Sequence, residues 1–170
     1  MSELLTFRPR WATIKKNPVH LLAFGFGSGL LRPAPGTWGT LAGLLLFIPL
    51  NLLPDLLLLP LFVLAFVAGI WICGRTGRDL GVHDYGGIVW DEMVAIWLML
   101  WLLPADLRRV AGLGGAYALT FVLFRIFDIW KPQPIRFFDR QLRNGLGVML
   151  DDLLAALYGL ALIYFINFFL

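Results

Sequence analysis

The sequence predicts an all-α fold, a polytopic helical bundle integral to a membrane. Three observations carry that prediction. Of its 170 residues, 59% are hydrophobic and only 15% charged, and the mean hydropathy is +0.79, far too apolar for an average soluble domain. The runs 56–74 and 153–170 carry no charge, and each is close to the ~20 residues needed to cross a bilayer as a helix. The charges that remain fall between such runs rather than along them.

In chain order, residues 1–20 mix Arg8, Arg10, Lys15 and Lys16 with scattered apolar side chains. With no apolar core before a small-residue cleavage site, this is read as a basic surface arm and not a signal peptide. Pro33, Pro35 and the glycines from 25 to 39 preclude a regular helix through that stretch. A first helix is expected over 40–53, capped by Thr37 or Thr40. Pro54 turns the chain into a second helix over 56–74, and a polar loop over 75–87 follows. Helix three is expected over 88–103, helix four over 107–130, a short interfacial segment over 135–143 and helix five over 148–170. The chain thus reads as one domain, with an arm and Gly-rich loop over 1–39 and a bundle of about five spanning or half-spanning helices over 40–170. The single Cys73 cannot form an internal disulfide.

Lys and Arg cluster in the arm, at 75–78 and over 125–143, whereas Arg108 and Arg109 stand at the opposite turns. The positive-inside rule then puts the basic loops in the cytoplasm. By that parity Asp79, Asp84, Asp91, Glu92, Asp128, Asp139, Asp151 and Asp152 all fall at the cytoplasmic helix ends. The net charge of +3 is spread along helix flanks, which suits anionic lipid headgroups rather than nucleic acid. Trp38, Trp71, Trp90 and Trp130 are expected to form an interfacial belt. No obligate protein partner is inferred.

Two acidic pairs stand out. Asp91-Glu92 lies near the start of helix three, and Asp151-Asp152 opens helix five, where Asp152, Ala155, Ala156 and Gly159 share a face of small residues. A carboxylate at mid-helix in a bilayer costs ~2.5–3.5 kcal/mol on insertion scales, and several together repel unless a cation lies between them. Hard oxygen donors favour Mg²⁺, so Asp84, Asp91, Glu92, Asp128, Asp151 and Asp152 are candidate metal ligands. Asp91, Glu92, Asp128 and Asp152 are also candidate catalytic groups, with His83 as a possible proton donor. Arg125, Lys131 and Arg136 are candidate phosphate-binding cations. Ser28 and Thr37 of the Gly-rich stretch join them, because backbone amides of such a loop can cradle a phosphate.

Two other classes stay open on these grounds: a small membrane transporter, and a non-catalytic scaffold with an acidic cation site. The P-S-G-H motif of membrane acid phosphatases and the D-G-x-x-A-R signature of CDP-alcohol phosphotransferases are both absent.

Five stretches nevertheless match one family in order: GFGSGL at 25–30, PGTWGT at 35–40, GVHDYGGIVWDE at 81–92, FRIFDIWKPQPIRFFDR at 124–140 and GVMLDD at 147–152. On these the chain closely resembles the bacterial phosphatidylglycerophosphatase A family. The resemblance implies a Mg²⁺-dependent hydrolase of the bacterial inner membrane, multi-pass, with its site facing the cytoplasm. Its substrate would be phosphatidylglycerophosphate, whose terminal phosphate is removed to give phosphatidylglycerol in phospholipid biosynthesis. Carried over by motif are Asp84, Asp91, Glu92, Asp128, Asp151 and Asp152, with Arg125 and Lys131 beside them. An activated water and a direct Asp nucleophile both remain open as the attacking group. Ala95 and Asn144 depart from the family, standing where glycine is expected.

Overall fold

The computed structural model describes residues 9–169. Every regular element among them is helical. Two short helices, α1 (Trp11–Ile14) and α2 (Pro18–Ala23), are followed by a 3-10 segment at Gly25–Leu30. Then come α3 (Pro35–Leu50), α4 (Asp55–Leu80), α5 (Trp90–Trp101), α6 (Ala105–Trp130), α7 (Ile135–Gln141) and α8 (Gly145–Asn167). The part of the expected basic arm at 1–8 lies outside the described residues. Its remainder is helical and docked on the bundle, with Ile14 and His20 buried and α2 packed on α4.

Three helices, α4, α6 and α8, are long and apolar enough to cross a membrane. In contrast, α3 has 16 residues and α5 has 12, so at 1.5 Å per residue they reach about 24 and 18 Å, short of a ~30 Å hydrocarbon core. The central element is α8, which packs against α4, α5, α6 and α7. In its most apolar window 56% is buried, against 28% for α4 and for α6. The small face predicted for it is the packed one: Ala155 and Ala156 are fully buried, and Gly159 abuts the Met99 side chain of α5. Outward-facing Leu56, Leu64 and Val67 of α4 are more than half exposed, as a lipid-facing stripe would be.

Several boundaries differ from expectation, each for a local reason. The first bundle helix starts at Pro35, five residues early, because proline at a first helical position costs no hydrogen bond. Thr37 and Thr40 therefore lie inside α3 and cap nothing; the Thr40 hydroxyl donates to the Gly36 carbonyl at 2.9 Å. The expected loop at 75–87 is helical to Leu80. Arg75 and Asp79 pair one turn apart at 2.9 Å, Thr76, Gly77 and Leu80 are buried, and Gly81 ends the helix in the left-handed region at φ 74°. Two residues are lost at each end of the third helix, which runs Trp90–Trp101. In α6 the helical geometry breaks at Gly112. Asn144 starts α8 early, its side chain accepting from the Gly147 amide at 3.1 Å, so the departure from glycine at 144 supplies a helix cap. Ala95, the other departure, is buried at 2% exposure.

Trp90 is a core residue and not part of a belt: it is buried, and its indole N–H donates to the Ala65 carbonyl of α4 at 3.1 Å. Trp38, Trp71 and Trp130 are exposed. Further ties hold the short elements in place. The Val89 amide donates to the Ala23 carbonyl at 2.8 Å, and the Trp97 indole donates to the Gly43 carbonyl at 2.8 Å. The first ties the start of α5 to α2 and the second ties its middle to α3.

Candidate active site

Connectivity brings the acids together. The second residue of α5 is Asp91, α6 ends just past Asp128, and α8 carries Asp151 and Asp152 near its start. Antiparallel packing puts those ends side by side. Asp84, Asp91, Glu92, Asp128, Asp151 and Asp152, with Lys131, line one cavity of about 120 Å³, far above the ~10–15 Å³ that admits a water. Asp151 and Asp152 lie almost two turns into α8 instead of opening it, so they are carried inward and are only 5% and 4% exposed.

Two cations organise this end. Arg125 Nη1 donates to Asp128 Oδ2 at 2.6 Å and to Glu92 Oε1 at 3.1 Å, joining α6 to α5. Its Nε is buried and has no hydrogen-bond partner among the described residues. Lys131 follows α6 in the left-handed region, at φ 44°, and this turn aims its ammonium back at the bundle. There it bonds to Asp151 of α8 and, at 3.0 Å, to Asp139 Oδ1 of α7. Burial works against the charge on Lys131, but Asp151 beside it outweighs burial and raises its pKa above the usual lysine range.

The remaining carboxylates are less well compensated. Neither Asp91 nor Asp152 has a cation within ion-pair distance among the described residues. Asp91 Oδ1, Asp151 Oδ1 and Asp152 Oδ2 are buried without a hydrogen-bond partner, an arrangement that is costly unless something else supplies positive charge. Unpartnered hard oxygens converging on a cavity fit a divalent cation such as Mg²⁺. As the side chains stand, no group of three or more His, Cys, Asp or Glu among the described residues is placed to hold a metal ion.

Other expected residues lie elsewhere. His83 lines a separate cavity with Arg78 and Arg143, because the loop after α4 lays the Val82 and His83 carbonyls against Gly77. Ser28 turns its hydroxyl back on the Gly25 carbonyl at 2.8 Å. Thr37 sits in the first turn of α3, and Arg136 is exposed, reaching the Trp130 carbonyl at 3.2 Å. Asp79 leaves the acidic group altogether, bonding His20 at 3.0 Å and Arg75 at 2.9 Å. Asp139 joins the site only through Lys131.

Two contributors went unnoticed in the sequence. A Cβ on Gly36 would collide with Glu92 Oε1 and stand 2.9 Å from Arg125 Nη1, so a side chain there would push that ion pair aside. Thr40, one turn on, places its hydroxyl 3.5 Å from Glu92 Oε2. Their i, i+4 spacing along a small-residue helix face was the available signal.

Comparisons with known proteins identify the family. A family model described as Phosphatidylglycerophosphatase A matches residues 21–167. The phosphatidylglycerophosphatase A of Haemophilus influenzae is 48% identical over 156 residues, covering 91% of each chain. That of Escherichia coli K12 is 41% identical over 169 residues, covering 96% of this chain and 95% of its own. A Bacteroides thetaiotaomicron protein, provisionally described as a phosphatidylinositol-3-phosphatase, is 40% identical over 148 residues, 84% of this chain and 89% of its own. No solved structure matches the chain.

Proposed function

Because the chain belongs to the phosphatidylglycerophosphatase A family, we propose that it hydrolyses the terminal phosphate monoester of phosphatidylglycerophosphate. The products are phosphatidylglycerol and phosphate, and the step belongs to phospholipid biosynthesis. The observation that carries this reading is the single cavity where six carboxylates and Lys131 meet at one end of the bundle.

The net reaction adds water across the P–O ester bond. Hydroxide character goes to phosphorus, and a proton goes to the departing glycerol oxygen. Asp91 and Asp152, the buried acids without a cationic partner, are the first candidates to hold Mg²⁺, with Asp84, Glu92, Asp128 and Asp151 able to complete its shell. Bound there, Mg²⁺ would supply Lewis acidity and neutralise charge on the phosphate. Arg125, whose Nε lacks a partner, can turn that donor to a phosphate oxygen. Lys131 keeps its charge and adds a second positive centre beside the reacting group. Asp84 is exposed and lines the cavity, where a carboxylate can take a proton from incoming water and pass it to the departing glycerol oxygen. The diacyl tail need not enter, since α4, α6 and α8 are built to stand in lipid.

The inner membrane is the proposed location, with this end of the bundle facing the cytoplasm. Arg125, Lys131, Arg136, Arg140 and Arg143 all lie at it, and Arg108 and Arg109 begin α6 at the other. Phosphate release from phosphatidylglycerophosphate in detergent micelles tests the activity. Release with Mg²⁺ that stops on chelation and returns on adding Mg²⁺ back is expected. Undiminished release after complete chelation would overturn the metal assignment, and no release under any divalent condition would overturn the substrate.

A further inference from the structure

Beside the acidic cavity, and sharing none of its lining residues, lies a second cavity of about 240 Å³ with the opposite charge. Arg78 from the end of α4, His83 from the following loop and Arg143 from the turn before α8 line it. Among the described residues neither Arg78 nor Arg143 has a carboxylate within ion-pair distance. This contrasts with Arg75 one turn earlier, which holds Asp79 at 2.9 Å. The start of α8 also faces this cavity through Asn144 and Gly145, and a helix N-terminus adds positive potential.

The cavity exists because its floor has no side chains. A Cβ on Gly145 would run into the Ile70 carbonyl, and it would stand 2.7 Å from the Gly74 nitrogen, so α4 and α8 cross with backbone against backbone. From the crossing a groove of about 410 Å³ continues along α4, sharing Arg78, Asn144 and Gly145 with the cavity and otherwise lined by Val67, Ile70, Trp71 and Leu146. Those walls are apolar and open: Val67 is 57% and Trp71 59% exposed.

We propose that this groove binds an anionic phospholipid, its phosphodiester between Arg78 and Arg143 and an acyl chain along Val67, Ile70 and Trp71. A soluble anion would use the cationic head but not the apolar arm, and a zwitterionic lipid would use the arm but bring its own cation to the arginines. The two parts in series select a lipid with net negative charge. The site is distinct from the acidic cavity but adjoins it, because His83 lines one and Asp84, its neighbour in sequence, lines the other.

The test is lipid retention by the full chain, purified in a neutral detergent and weighed by native mass spectrometry. Phosphatidylglycerol, phosphatidylcholine and inorganic phosphate are offered separately. One phosphatidylglycerol per chain should be retained in preference to phosphatidylcholine, with inorganic phosphate failing to displace it at equal concentration. R78A/R143A should lower that retention at least about tenfold, whereas D152N should leave it unchanged. Equal retention of the two lipids, displacement by phosphate, indifference to R78A/R143A or loss in D152N would each overturn the proposal. A phosphatidylglycerol carrying a headgroup photo-crosslinker tests the unmutated chain, independently of whether the double variant folds. Adducts should map to 71–83 and 143–146, and adducts confined to the acidic cavity would contradict the assignment.

Discussion

The two ends of the bundle use the same residue types for different ends. Where α6 begins, Arg109 and Asp106 pair at 3.5 Å with side chains 81% and 64% exposed. Where α6 finishes, Arg125 holds Glu92 and Asp128 with all three side chains 16% exposed or less. Water already solvates the first pair, so its net stabilisation is small. The second pays heavily for desolvation, and removing one partner leaves the others buried and uncompensated. Among the described residues, charge is kept in so unfavourable a place at one end only, the end proposed to work.

This contrast can be broken at four points. The largest effect is expected from D91N or D152N, which remove a carboxylate that has no internal cation. Each should keep its fold and lose phosphate release by on the order of 10²-fold or more, measured in micelles at saturating Mg²⁺. Next comes R125A. It should cost about 3–5 kcal/mol of stability, read from reversible unfolding in detergent, with R125K recovering part of it. G36A should follow, because its methyl displaces Glu92 from Arg125; a clear fall in turnover with only a modest shift in the unfolding midpoint is expected. At the far end, R109A should change stability by less than about 1 kcal/mol and leave turnover as it was. Equal sensitivity of R109A and R125A would remove the distinction between the ends.

The fold class was legible because hydropathy reports burial in lipid or protein without needing tertiary detail. Helix boundaries were less so. The drop in hydropathy at Arg75 looked like a helix end, yet the Arg75–Asp79 pair lies along the helix and carries it to Leu80. Proline at 35 looked like a breaker, though at a first helical position it initiates. The acids were legible as a set because loop charge and helix parity put them at the same ends of the apolar runs. His83 was expected as a proton donor to the acidic site, but the packing of its loop on Gly77 sends it to a different cavity from Asp84. Gly36 and Thr40 offered only their i, i+4 spacing: a glycine that matters by its small size carries no chemical flag, and the approach of α3 to Glu92 shows the part of both.

The central claim is that carboxylates from α5 and α8 hold one divalent ion between them. Direct titration of Mn²⁺, as a spectroscopic stand-in for Mg²⁺, followed by electron paramagnetic resonance on the folded full chain in detergent, tests it without reference to turnover. The account predicts protein-bound Mn²⁺ that Mg²⁺ competes away, and that D91N and D152N each weaken by at least about tenfold. Binding that persists unaltered in both variants would contradict it.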